Sequence, residues 1–326
     1  MGRGNPAWKN YERVGNWRRG LASIHAVLSA AFPIHCRVSI DGSEAANLST
    51  NRLKRLKNSA VNPYNQGFRN PSHAALYCPT MSETELNPEH RLIPFETSEL
   101  PAGPWLVFAP HADDETYGMA GSLLKASEAG IATHLVVMTD GALGGSAADL
   151  VDTRQLEVQA AAKLLGITSL DSWQEPDRGL AYSEASVSKI AQKINSLGAA
   201  SVFFPGPLEL HPDHRVTALL VWAAIQQLSK ESLSVNAYSY EIGVQNLVNV
   251  LIDITEQRPR KEQAMTIYAS QNDENNYEEL VLSLDKGRTF TLPANVSHAE
   301  GFYRYSEEQL ATSLRAVTHE IIELYF

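Results

Sequence analysis

From residue 104 onward, short apolar runs alternate with longer segments whose apolar positions fall at helical spacing. LVFAP (106–110) has the length and continuity of a strand buried on both faces. The helix-like segment that follows it ends at Gly130. THLVVMTD (133–140) reads as a second strand, and 148–165 carries Leu150, Leu156, Val158, Ala161, Ala162 and Leu165 at helical spacing before Gly166. Residues 169–173 are a third strand, and 183–197 a helix stopped by Gly198. SVFFPG (201–206) is a fourth strand, with a helix predicted over 215–228. VNAYSYEIG and VNVLIDIT read as further strands, 261–270 as another helix, and 307–325 as one final amphipathic helix. Strands alternating with helices predict an α/β fold: a Rossmann-like, mostly parallel sheet with helices on both faces, forming a single catalytic domain. In such sheets ligands bind beyond the carboxyl ends of the strands, so the chemistry is sought there.

The preceding eighty residues have a different character. Residues 1–60 hold ten basic and three acidic side chains, a net +7, whereas the rest of the 326-residue chain holds 17 and 34, a net −17. The overall −10 therefore describes neither part. LASIHAVLSAAF (21–32) has the pattern of an amphipathic helix behind Arg18-Arg19. Its long basic lead, His25 and the lack of a small-residue cleavage site argue against a signal peptide, so a cytoplasmic location is expected. NRLKRLKN (51–58) reads as a solvated basic loop; without interleaved aromatics no nucleic-acid partner is expected. Residues 59–80 are rich in Asn, Pro and Ser, and Met81 opens the stretch that leads into the first strand. The expected division is a basic, weakly structured extension over 1–80, not part of the fold, and a catalytic domain over 81–326. Two cysteines, Cys36 and Cys78, can form neither a disulfide scaffold nor a four-cysteine zinc site. No apolar run is long enough to span a bilayer.

Two clusters stand at strand ends. His111-Ala112-Asp113-Asp114-Glu115 follows the first strand, and His211-Pro212-Asp213-His214 follows the fourth. Either alone reads as helix capping, because acidic residues in a first turn satisfy free amides and oppose the helix dipole. Together, at equivalent topological positions, they bring imidazoles and carboxylates to one mouth, which suits a zinc site with an open coordination position. No glycine-rich phosphate fingerprint follows the first strand, which excludes a nucleotide-binding reading.

These motifs resemble those of the PIG-L/LmbE family of zinc-dependent N-acetylglucosamine-type deacetylases, whose first motif has the form (P/A)HPDDE and whose second is HPDH. The likeness runs from about residue 103 to 304 and includes Thr139-Asp140-Gly141, Arg154 with Glu157, and Ser270-Gln271. Ala112 stands where the family usually has proline, which bears on loop stiffness rather than ligation. The resemblance implies that His111, Asp114 and His214 bind the metal, Zn2+ or alternatively Fe2+. It implies that Asp113 is the general base and that His211 assists beside the site as a second catalytic group. Glu115 and Asp213 would support these residues from behind. Arg154, Asp177 and Arg178 are candidate substrate contacts, with an ion pair to Glu157 the alternative for Arg154. The 141–146 loop is a candidate lid, and Tyr238, Tyr240 and Trp173 are read as core in preference to sugar-stacking positions.

The implied reaction is hydrolysis of a linear amide C–N bond, removing the N-acetyl group from an N-acetylated amino sugar or glycoconjugate by metal-activated water and an Asp base. A small-molecule amino sugar is the implied partner. The alternatives are an amidase or de-N-acylase on a sugar–thiol or antibiotic-type conjugate, and a catalytically silent sugar-binding protein. The sequence leaves the aglycone and the oligomeric state open.

Overall fold

A computed structural model describes residues 86–272 and 275–325. The amphipathic stretch 21–32, the basic loop 51–58 and the expected division between residues 80 and 81 lie outside the described residues. In chain order the first half contains β1 (Trp105–Ala109), α1 (Asp114–Glu128), β2 (Thr133–Thr139), α2 (Leu150–Leu165), β3 (Ser169–Glu175) and α3 (Glu184–Leu197). Then come β4 (Ser201–Pro205), α4 (Pro212–Lys230), β5 (Asn236–Tyr240), β6 (Val250–Asp253), α5 (Arg258–Met265) and α6 (Ala269–Asn272). The chain finishes with α7 (Tyr277–Gly287), β7 (Ala299–Tyr305), α8 (Glu307–Leu310) and α9 (Leu314–Glu323).

The strands form one seven-stranded sheet in the order β3-β2-β1-β4-β5-β7-β6. The first five are parallel, and β7 runs antiparallel to both β5 and β6. The expected mostly parallel architecture is therefore present. Side chains alternate between two buried faces, as a strand's period of two requires. Trp105, Val107 and Ala109 of β1 join Leu135 and Val137 of β2 under α1, α2 and α5. Leu106, Phe108, Val136 and Met138 point the other way, into the packing of α3, α4 and α9. Burial on both faces explains why these strands read as continuous apolar runs.

The chain departs from β1 to β2 and β3 on one side, then crosses back to place β4 on the other. This reversal opens a crevice between the carboxyl ends of β1 and β4, where both histidine motifs emerge.

Some elements differ from expectation. Helix α4 begins at Pro212, not 215, so His214 lies inside it; its polar first turn carries no apolar periodicity, but Pro is well suited to the first helical position. The single C-terminal helix is two, because Ser313 caps a new start by accepting the Ala316 N–H. The predicted 261–270 helix is replaced by α5 and α6. Strand β7, which runs through Gly301, and helix α7 have no counterpart among the predicted elements.

Candidate active site

The turn after β1 is tightly wound. Asp113 adopts φ 135°, a conformation L-residues rarely take and that costs about 1–3 kcal/mol. Its N–H donates to Glu115 Oε2 at 3.2 Å, and its carbonyl accepts from Thr116 and Tyr117 as α1 begins. Glu115 is fully buried and also accepts from the Tyr268 hydroxyl at 2.5 Å and the Thr116 hydroxyl at 2.7 Å. The turn is thus braced from beneath by a carboxylate that never reaches the cavity.

Three groups converge on one carboxylate oxygen. Asp114 Oδ2 accepts from the His111 N–H at 2.8 Å and lies 3.1 Å from His111 Nδ1 and 3.3 Å from His214 Nε2. The far nitrogens also face carboxylates: His111 Nε2 is 3.3 Å from Asp213 Oδ2, and His214 Nδ1 is 3.8 Å from Glu209 Oε2. Asp213 is itself fixed by the Arg178 N–H at 2.7 Å. It does not cap α4; His211 does, its Nδ1 accepting from the Asp213 N–H at 3.2 Å. A neutral His211 then carries its proton on Nε2. Its ring packs edge-on against His111, with centroids 4.6 Å apart.

This arrangement fits a bound divalent cation. Ligands at about 2.0–2.1 Å from a tetrahedral zinc lie roughly 3.3 Å apart, close to the separations of Asp114 Oδ2 from the two imidazole nitrogens. A carboxylate behind each histidine is the usual means of fixing a metal-bound imidazole. His214 Nδ1 has no hydrogen-bond partner although buried, so its ring is held by position and charge. Candidate ligand atoms of His111, His211 and His214 lie within 4.8 Å of one another, as do those of His111, Asp177, His211 and Asp213.

The electrostatics point the same way. Burial disfavours a charged His214, but the Asp114 carboxylate beside it outweighs that and raises it to about 9. Burial would also raise Asp114, yet the two imidazoles hold it well below the usual carboxylate range. The carboxylates of the pocket favour positive charge on His214, and a bound cation would supply such charge in exchange for protons. Burial and the facing imidazoles of His111 and His214 push His211 down to about 4. Asp113 is raised to about 7 by burial, with Arg154 pulling it down and Asp114 pushing it up.

Arg154 is 3% exposed, and its Nη2 donates to Ala112 O at 2.7 Å and Asp113 Oδ2 at 3.1 Å. The alternative pairing with Glu157 is not made: Glu157 accepts from the Ser270 N–H and hydroxyl instead. Asp177 turns inward, with Oδ1 3.5 Å from His111 Nε2 and Oδ2 accepting from the Leu143 N–H. The exposed Arg178 lines the cavity, as do Leu143 and Gly144 of the 141–146 loop. Tyr238 and Tyr240 are core, and Trp173 packs against Phe108 under the Lys189 ammonium.

The cavity measures about 470 Å³. Sequence reasoning missed Glu209, Tyr117 and Tyr277 on its walls. Glu209 is 3% exposed and accepts from the N–H groups of Ile242, Gly243 and Val244, tying the loop after β5 to the loop before α4. Its one local signal is an acidic residue in the otherwise apolar stretch GPLEL. Among the described residues no helix is long and apolar enough to cross a membrane.

Known proteins resemble this chain in sequence and fold. Residues 106–225 match the family model described as "PIG-L: GlcNAc-PI de-N-acetylase". A Bacillus anthracis protein described as "Probable N-acetyl-alpha-D-glucosaminyl L-malate deacetylase 2" is 27% identical over 185 residues, covering 51% of this chain and 80% of the relative. The diacetylchitobiose deacetylase of Thermococcus kodakarensis is 29% identical over 123 residues, 35% of this chain and 46% of that protein. The crystal structure of a conserved protein from Thermus thermophilus superposes with a TM-score of 0.56 and 28% identity, covering 61% of this chain and 93% of that one. The stretch matched by the PIG-L family model, residues 106–225, holds both histidine motifs and the crevice between them.

Proposed function

We propose that this protein is a metal-dependent N-deacetylase that hydrolyses the acetamide of an N-acetylated amino sugar or its conjugate. One observation carries the reading: His111, Asp114 and His214 meet at a single carboxylate oxygen, with Asp113 held at their edge by Arg154. The substrates named for the Bacillus and Thermococcus relatives support an N-acetylated amino sugar. A sugar-binding protein without catalysis would have no need of this complete set. The sugar–thiol and antibiotic-type conjugates remain variants of the same amide chemistry.

His111, Asp114 and His214 would hold the metal, zinc or ferrous iron, through two imidazoles and one carboxylate. When bound, it supplies Lewis acidity to the acetamide carbonyl and to the attacking water. Asp113 takes the proton from that water and passes it to the departing amine; burial raises its pKa, which makes it a stronger base than an exposed carboxylate. Arg154 engages Oδ2 and so orients the other carboxylate oxygen for this transfer. His211, with Nδ1 occupied by the Asp213 N–H, presents Nε2–H as a donor to the developing oxyanion. Asp213 would fix the His111 ring, Glu209 would set the charge facing His214 Nδ1, and Glu115 braces the Asp113 turn.

The test is release of free amine from N-acetylglucosamine and its glycosides by the full chain, before and after chelation and after zinc restoration. The expected outcome is loss on chelation and recovery with metal. Turnover that survives exhaustive chelation would refute the reading.

A further inference from the structure

The cavity has a polar floor and an apolar mouth. On the floor, the acidic side chains Asp113, Asp114, Asp177 and Glu209 are each engaged by imidazole, guanidinium or backbone N–H groups. At the mouth the chemistry changes. Leu210, in the loop after β4, is 79% exposed, and Leu143, in the loop after β2, is 62% exposed. Leu280 and Tyr277 of α7 are 42% and 38% exposed, and Val244 comes from the loop after β5. All five line the same cavity.

Single exposed leucines are ordinary on protein surfaces. Carbon side chains from four separate segments converging on the opening of one cavity are not, because loop tips are otherwise polar and each such residue costs solubility without adding to the core. Leu143 illustrates the point. Its backbone N–H is fixed to Asp177, while its side chain stands in water within a loop of Gly, Ala and Ser. The exposed polar groups of the lining are Arg178, Asn275 and the Tyr277 hydroxyl, and against them stand five side chains that offer an apolar group carbon surface to cover.

We infer that the substrate's portion beyond the amino sugar is an apolar aryl or alkyl aglycone, seated on Leu143, Leu210, Val244, Tyr277 and Leu280. This rests on the deacetylase reading above and narrows it. The rival is an anionic aglycone, for which Arg178 is the exposed cation in the lining. Arg154, the other arginine there, is buried against Asp113. One cation among five apolar side chains favours carbon over charge.

The experiment compares kcat/KM of the zinc-loaded full chain on N-acetylglucosamine, its phenyl and octyl β-glycosides, and its carboxymethyl β-glycoside. The same ratios are measured in Leu143→Ser, Leu210→Ser and Leu280→Ser. Because the readout is a ratio within each preparation, a partly misfolded variant does not distort it. The expected result is a preference of about tenfold or more for the phenyl and octyl glycosides over the free sugar, with no gain for the carboxymethyl glycoside. In the serine variants the ratio falls toward one. If the free sugar is deacetylated but all aglycones are equivalent, the inference fails and the deacetylase reading stands. A preference for the carboxymethyl glycoside that Arg178→Ala abolishes also overturns it. So does a change of oligomeric state in the serine variants with the ratio intact, which would make the mouth an interface between copies. If no amine is released from any of these compounds, both readings fall together.

Discussion

Asp113 combines an unusual backbone conformation, burial and a guanidinium partner, and in the proposed reaction the balance among these sets its strength as a base. Arg154 lowers its pKa, so removing that cation raises it, and the ionised fraction at neutral pH falls. Arg154→Met is therefore expected to move the acid limb of the kcat/KM profile upward by about one pH unit or more; an unmoved or downward-shifted limb would refute the role. Glu209 acts on the other side of the site, through His214. Replacing it with Gln removes the charge facing His214 Nδ1 while keeping an acceptor for the 242–244 loop. Zinc affinity is expected to weaken about 10–100-fold by competitive chelator titration, with an unchanged circular dichroism spectrum; wild-type affinity would count against the role. His111, Asp113, Asp114 and the 211–214 motif are legible in sequence because each cluster is contiguous and lies at a strand end. Glu209, Tyr268 and the Arg154–Asp113 pair are not, because their partners are distant in the chain and meet only when the sheet is assembled.

At the level of elements, α1 carries the Asp113–Glu115 turn and is itself kinked, with Met119 at φ −154° and ψ 22°. The N–H groups of Gly121 and Ser122 donate to Glu300 of β7, at 2.8 and 2.7 Å. Glu300 is neutralised by the fully buried Lys261, whose ammonium also lies 2.8 Å from Asp285. One lysine on α5 therefore joins α1, α7 and β7. Lys261→Met leaves two buried carboxylates without their cation and is expected to cost about 3–5 kcal/mol in urea unfolding; a loss below about 1 kcal/mol would show the triad to be dispensable. The same scale explains where periodicity misled. Leu310, Leu314 and Val317 continue one apolar stripe across the break between α8 and α9, because both helices press that stripe onto the same core. Ser306-x-x-Gln309, a capping box that both side chains complete, starts α8 where the pattern places it, and the break after it is visible only as the second cap at Ser313.

For the molecule as a whole, the acidic body and basic leader are separable in composition. Residues 86–325 include both core clusters and every residue assigned to the site. We propose on the composition break alone that a chain beginning at Met81 keeps the melting temperature and turnover of the full chain; an insoluble or inactive product would assign residues 1–80 to the fold. The alternation of strands and helices made the architecture readable, and the strand-order reversal between β1 and β4 explains why two motifs far apart in the chain share one mouth. The central claim is that this mouth holds a metal and a separate base. It is tested most directly by measuring, on one preparation of Asp113→Asn, both the zinc bound per chain and amine release from N-acetylglucosamine. The account predicts wild-type zinc content with turnover reduced by about 10²–10⁴. Full turnover with zinc bound would contradict it.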